Sequence, residues 1–317
     1  MNELLQPVVL IGILTGTIRF ATPYLYASIG EMFAQRSGVV NLGVDGIMLM
    51  GAYAGFFVAL NVPDTAGLWL GLLVAAIVGL LMGLLMSVIS VSLKAEQGIS
   101  GIGLYIFGLG LSSLLFRVTI GTVKTVEGFA PFPIPVLSQI PVVGEVLFTN
   151  SVVVYGAFLI VPIAWFILER TTWGLKIKAV GQNPAAADSL GVSVNRVRYM
   201  CVCLGGILAG LAGASMSLSL YNLFQDNLTA GLGFIAVALV YFGGWRPLGI
   251  LLGALLFSVI TSLQLFMQVK GLFEQGGISP DVANMLPYII TIIVLMFPIN
   301  RARQPAALNK PFERGEN

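Results

Sequence analysis

Residues 173–198 read WGLKIKAVGQNPAAADSLGVSVNRVR, a polar stretch set between long apolar runs. Asn183 suits a helix N-cap and Pro184 the first helical position. Ala185, Ala186 and Ala187 have the highest helix propensity, and Gly191 can close the end in the left-handed conformation. The spacing predicts a helix from Pro184 to about Leu190, two turns at most. An isolated helix shorter than about 12 residues is marginal in water. This one therefore needs a partner, and its alanine face is small enough to press into a groove of another protein. Ser193 caps a further helix that runs into the next apolar block and couples the short helix to it. An ordinary connecting loop is the plainer alternative.

The flanks decide the fold class. Of 317 residues 57% are hydrophobic and 9% charged, with a mean hydropathy of +0.95, against roughly 25% charged residues in a soluble domain. The apolar material comes in blocks near 20 residues, the length at which a helix crosses about 30 Å of hydrocarbon. Helices are expected and not the alternating strands of a barrel, so the chain reads as an all-α polytopic membrane protein. Spans are predicted near 8–27, 39–60, 67–91, 98–118, 150–168, 199–220, 227–243, 248–268 and 284–300. That makes nine, or eight to ten if the glycine-rich 98–111 or the short 227–243 is broken or re-entrant. Residues 1–300 form one transmembrane domain and 301–317 a tail. The start, MNELLQPVVLIGIL, carries Glu3 and no basic n-region, so it reads as the first span and not as a cleaved signal peptide. Glycines four apart (Gly67 and Gly71, Gly79 and Gly83, Gly206 and Gly210, Gly249 and Gly253) mark places where helices can meet backbone to backbone; the plainer alternative, for about half of them, is glycine merely tolerated in a membrane helix.

Basic residues set the expected orientation, because they stay on the cytoplasmic side. With 169–198 inside, twelve of the 16 Lys and Arg residues lie inside, only Arg117, Lys124 and Lys270 lie outside, and Arg19 lies within a span. The N-terminus is then outside and the tail inside. The external side holds one long connection, residues 119–149, rich in proline; it is either a structured surface at the membrane or a plain loop.

Much chemistry is excluded. There is no histidine, hence no His base, triad or metal site. Cys201 and Cys203 are two apart and point away from each other on a helix, so neither a metal site nor a disulfide is expected. Arg19 and Asp45 are the charges expected within spans, at depths of about 12 and 9 Å from the inner ends. They read as an ion pair fixing the first two spans; a proton or ion relay is the alternative, and the other spans offer it no further titratable groups.

The quoted loop resembles the cytoplasmic coupling loop of ATP-binding-cassette importer permeases of the ribose and branched-chain amino acid group. Gly181, Asn183, Pro184, Ala186, Ala187 and Gly191 match that pattern, with Asp188 inside the same loop; Lys178 stands where arginine is common. The stretch RFATPYLYASIGEMFAQRSGVVNLGVDGIMLMGAYAGF, residues 19–56, resembles the nucleoside branch of that group, with Asp45 in place of the usual glutamate. In LVYFGGWRPLGILLGALLFS, residues 239–258, Gly243, Gly244, Pro247 and Gly249 match a later glycine-rich turn.

The resemblance implies a type II importer-like permease, made of two related halves, in a bacterial cytoplasmic membrane. It also implies a second, non-identical permease, ATPase subunits carrying ATP and Mg, and an extracytoplasmic substrate-binding lipoprotein. The cargo would be a nucleoside, purine more than pyrimidine, or a simple sugar such as ribose. Lipid, and not nucleic acid, is the expected surrounding. No catalytic residue and no cofactor are expected in this chain, which lacks the P-loop G-x-x-x-x-G-K-[ST] pattern. Asn41, Ser100, Tyr105 and Phe107 are candidates for the substrate pathway. An ion-coupled carrier using Arg19 and Asp45, or an intramembrane enzyme, would be rivals of another class; the enzyme has little chemistry to work with.

Overall fold

The computed structural model describes residues 7–271, 282, 285–296 and 304–313. Among these, seven helices are long and apolar enough to cross a membrane. They are α1 (Pro7–Arg36), α2 (Val44–Asn61), α3 (Asp64–Ser87, extended by a π-turn Val88–Ser92), α4 (Gln97–Thr119), α6 (Val152–Arg170), α9 (Val194–Ser215, extended by a π-turn Met216–Leu220) and α11 (Pro247–Val269). Shorter elements lie between them: α5 (Val143–Leu147), α7 (Thr172–Gln182), α8 (Pro184–Ser189), α10 (Leu232–Phe242) and α12 (Leu286–Met296).

The expected span at 98–118 is an unbroken helix, but the one at 227–243 is not. Residues 226–231 are turns, and α10 that follows has 11 residues, about 16 Å and half of a crossing. The described part of the span expected at 284–300 is the 11-residue α12; the rest falls outside the described residues. Nine full crossings are therefore not what the described residues contain.

Helices α2 and α9 are the centre of the bundle: 72% and 78% of their most apolar windows are buried, against 28–39% for the other five. The latter turn leucine and isoleucine outward, as Leu73, Leu81, Leu114 and Leu159 do, which suits a hydrocarbon surround. Glycine lets α9 sit so deep. A Cβ on Gly206 would collide with the Gly79 carbonyl, and one on Gly213 with the Met48 carbonyl. Gly79 and Gly83 on α3 thus face Gly206 and Gly210 on α9, backbone against backbone, where dispersion and not water exclusion holds helices together.

One end of the bundle, the basic face, gathers Arg36, Arg170, α7, α8 and residues 304–313. At the opposite end, residues 120–150 are a built surface. Two-residue strands β1 (Phe132–Pro133) and β2 (Thr149–Asn150) pair antiparallel, α5 seats Val146 beside Ile18 and Val154, and the Val126 and Phe129 amides donate to the Asn222 and Leu218 carbonyls. A cavity of about 830 Å³ opens there between residues 59–69 and 125–130.

Candidate functional site

Two helix starts meet inside the bundle. From Arg36 the chain does not leave for a new crossing; residues 37–43 run back between helices as non-helical, largely buried backbone. Buried amides need partners, and side chains supply them. Gln97 Oε1 accepts from the Val40 amide at 2.8 Å, Glu31 Oε1 from the Asn41 amide at 3.0 Å, and Asn41 Oδ1 from the Gly43 amide at 2.9 Å. Glu31 also accepts from Gln35 Nε2 at 2.9 Å, and Gln35 Oε1 from Trp245 Nε1 at 2.8 Å. This polar chain from Trp245 to Asn41 carries the segment to Val44, where α2 begins.

Asp45, in the first turn of α2, has no solvent exposure. Its Oδ1 accepts the Gly233 amide at 2.7 Å and its Oδ2 the Thr229 hydroxyl at 2.9 Å, with the Gly231 amide close by. These groups surround the start of α10, so the carboxylate lies at a helix N-terminus, where backbone N–H groups and the macrodipole favour negative charge. The far end of α10 is pinned as well: Arg36 Nε and Nη2 donate to the Trp245 carbonyl at 2.9 and 2.6 Å. Because α10 is about 16 Å long and ends at the basic face, Asp45 and Gly233 lie near the middle of the bundle.

The expected ion pair of Arg19 and Asp45 is not formed. Helix α1 continues past residue 27 to Arg36, which puts Arg19 roughly 26 Å from the basic face, and its side chain is exposed. Asp45 has neutral partners from a distant part of the chain instead. Thr229 and Gly233 carried no sequence signal as partners of Asp45: they lie in the stretch 227–243, whose shortness raised the prospect of a broken helix without saying what it would meet.

Of the pathway candidates, Tyr105 borders this junction. Its ring meets Phe234, on the first turn of α10, edge to face at 5.0 Å between centroids. Asn41 is buried and occupied in capping the segment before α2. Ser100 donates to the Glu96 carbonyl at 2.6 Å near the start of α4. Phe107 is exposed, two residues from Tyr105 and hence on another side of the helix.

On the basic face, α6 ends at Arg170 and α7 follows as a separate amphipathic helix that buries Ile177 and Val180. Asn183 then caps α8, its Oδ1 accepting the Ala186 amide at 3.0 Å, with Pro184 in the first turn. Gly191, at φ +82°, ends it, and the Gly191 and Val192 amides return to the Asp188 and Ala187 carbonyls at 2.9 and 3.0 Å. Ala187 points inward and is buried, whereas Ala185, Ala186 and Ser189 face out and Leu190 is 84% exposed.

Gly181 belongs to α7 and has another task. A Cβ there would strike the Arg36 carbonyl, and its own carbonyl accepts the Ala307 amide at 2.9 Å. Residues 304–313 are thus a strap across the basic face. The Asn309 amide donates to the Gly38 carbonyl at 3.1 Å, and Ala307 and Leu308 are buried. Arg198, almost fully buried, donates from Nη1 to the Lys310 carbonyl at 3.0 Å and from Nε to the Ser37 carbonyl at 3.2 Å. Lys94 and Glu313 form an ion pair at 2.6 Å. The strap ties α1, α7, α9 and the α3–α4 connection together beside α8, leaving a cavity of about 310 Å³ between Lys94, Asp188 and Phe312.

Among the described residues no group of three His, Cys, Asp or Glu side chains could hold a metal ion. Comparison with known proteins identifies relatives along nearly the whole chain. The chain is 36% identical to TsgC13 of Haloferax volcanii, provisionally named a glucose ABC transporter permease, over 96% of this chain and 98% of that one. It is 36% identical to the nucleoside ABC transporter permease NupC of Lactococcus lactis, over 93% of this chain and 94% of that one. It is 35% identical to the guanosine ABC transporter permease NupQ of Bacillus subtilis, over 96% and 97%. The same two bacteria each hold a second, more distant relative, NupB at 27% and NupP at 28% identity. No solved structure matches the chain significantly. Residues 13–295 match the family described as branched-chain amino acid transport system, permease component, and this multi-pass membrane chain belongs to that family of permeases.

Proposed function

We propose that this chain is the membrane subunit of an ATP-binding-cassette importer for nucleosides, purine nucleosides above all. The observation that carries the reading is the 35–36% identity, over more than nine-tenths of the chain, to permeases named for nucleoside and guanosine transport. The basic face is cytoplasmic, in keeping with the excess of Lys and Arg there, which sets the N-terminus outside and the strap inside a bacterial cytoplasmic membrane. A separate ATPase, holding ATP and Mg, receives α8 in a cleft. Ala185, Ala186 and Leu190 supply an apolar surface for it, and closure of the ATPase pulls on α7 and the strap. A second, related permease completes the pathway; the pairs NupB with NupC and NupP with NupQ support a non-identical one. An extracytoplasmic binding lipoprotein delivers the nucleoside to the face that carries residues 120–150.

This chain makes and breaks no bonds of the cargo. What its residues do is present two conformations to which the ATPase cycle gives different weights, since an equilibrium moves only as far as differential binding drives it. The Asp45 junction and the strap are the contacts that such a change must keep or remake. A sugar is the second reading, favoured by the 36% identity to TsgC13.

The test is the ATPase rate of the reconstituted complex with binding protein loaded with guanosine, uridine, ribose or glucose. Nucleosides are expected to stimulate it and pentose or hexose not to. Stimulation by a sugar alone overturns the nucleoside reading, and uptake that persists without the ATPase overturns the importer.

A further inference from the structure

Beside the Asp45 junction the backbone from Asn227 to Gly231 is non-helical, and Asn227, Ala230 and Gly231 all have positive φ, at 55°, 47° and 86°. Ala230 is exposed. Irregular backbone at membrane depth is tolerated only where protein covers it or water reaches it, because hydrocarbon cannot satisfy its polar groups. The exposed side of this break therefore does not face lipid. Three aromatic rings border it. Phe234 is 37% exposed and meets Tyr105 edge to face at 5.0 Å. Tyr288, 43% exposed, donates its hydroxyl to the Ala230 carbonyl and lies within electrostatic reach of Asp45. Such rings, half uncovered beside a broken helix near mid-depth, are costly to leave wet unless something flat covers them in turn.

Resting on the nucleoside reading above, we propose that Phe234, Tyr105 and Tyr288 form the contact site for the nucleobase during passage, with Phe234 and Tyr105 setting the preference for large, flat bases. Stacking suits this purpose because every base presents a π-face and a purine presents more of it. The site carries no charge toward the cargo: the Asp45 carboxylate is turned inward onto Thr229 and Gly233. Asp45 is a positioning residue here. It fixes the first turn of α10, and with it the direction of Phe234, without touching the cargo. Ser100 and Asn41, occupied elsewhere, have no part in the site.

The experiment uses the complete reconstituted importer at saturating loaded binding protein and measures uptake of guanosine and uridine. Phe234→Ala and Tyr105→Ala are expected to lower uptake of both nucleosides, and the guanosine-to-uridine ratio by roughly twofold or more, because loss of a stacked ring costs the larger base more. Phe234→Tyr and Tyr105→Phe, which keep the rings, should retain most of the preference and serve as folding controls. An unchanged ratio in both alanine variants of a wild type that carries nucleosides overturns this inference alone. Loss of assembly with the second permease, at an unchanged ratio in the complexes that do form, assigns the rings to subunit packing and also overturns it. A wild type that carries no nucleoside overturns the reading on which it rests.

Discussion

The Asp45 carboxylate and the Gly233 amide, 2.7 Å apart, join the first turn of α2 to the first turn of α10 across 188 residues of sequence. Removing the carboxylate leaves buried N–H and O–H groups without an acceptor, at about 1–3 kcal/mol for each unsatisfied group. Asp45→Ala is therefore expected to destabilise the protein by several kcal/mol in total. Asp45→Asn keeps one acceptor oxygen and should lose less. Thr229→Val removes a single hydrogen bond and should cost about 1 kcal/mol. Thermal aggregation of the purified protein in detergent ranks the three. If the junction is dispensable, all three will melt with the wild type.

The glycine seam between α3 and α9 predicts a steeper response. Gly79 and Gly206 touch backbone to backbone, and neither helix can give way without separating the bundle's centre. Overpacking in a tight core typically costs about 1–3 kcal/mol, and a backbone obstacle is harder to move than a side chain. Gly206→Leu should abolish accumulation of the folded protein, whereas Gly103→Leu, where nothing lies within 4 Å, should be tolerated. Fluorescence-detected gel filtration of both variants decides it; equal yields would count against the packing argument.

The contrast between Gly206 and Thr229 shows how far the sequence could be read. Four-residue glycine spacing is local, and it marked both sides of the α3–α9 seam without showing that they face each other. The cap Asn183, the proline after it and Gly191 are also local, and α8 follows directly from them. The partner of Asp45 is not local. Residues 227–243 are mostly apolar, and apolar content cannot tell a crossing helix from a broken one; their shortness allowed a break, and the backbone angles at Asn227, Ala230 and Gly231 place it. The strap was legible merely as a tail, because its attachment is made by backbone groups of Ala307, Asn309 and Lys310, which any residue could offer. Arg198, counted as one more positive charge in the sequence, proves to be buried and spent on carbonyls.

The strap separates two kinds of contact. The Lys94–Glu313 pair is 40% exposed on both sides, and exposed pairs contribute about 0–1 kcal/mol, so Glu313→Gln should leave activity near that of the wild type. Leu308 is 8% exposed, and Leu308→Asp would bury a charge without a partner. It should release the strap and lower transport strongly. Acid should act in the same direction. The Ile99 and Gly98 amides hold the Glu96 carboxyl below the usual carboxylate range, and Asn309 of the strap adds to this. A depressed folded pKa means that its contribution is present above the ordinary carboxylate range and lost as pH falls through the lowered value. Limited proteolysis after residue 303 should therefore be faster for Leu308→Asp at neutral pH, and for the wild type only at acidic pH.

The outward and inward faces of α8 predict opposite defects from substitutions one residue apart. Ala186 is exposed and its amide is held by Asn183, so Ala186→Arg adds a long charged side chain to the surface without disturbing the cap. The membrane subunit should fold and insert normally, yet lose association with the ATPase and with it transport. Ala187 is 3% exposed, so Ala187→Arg must displace α8 from its seat, and destabilisation of the basic face comes before any loss of docking. Leu190→Asp, at the most exposed apolar position of this segment, should behave like Ala186→Arg if an apolar cleft receives it. Co-purification of a tagged ATPase, together with melting temperature, separates the classes: normal melting without ATPase for Ala186→Arg and Leu190→Asp, lowered melting for Ala187→Arg. Full transport by Ala186→Arg and Leu190→Asp together would show that α8 is not where the ATPase takes hold.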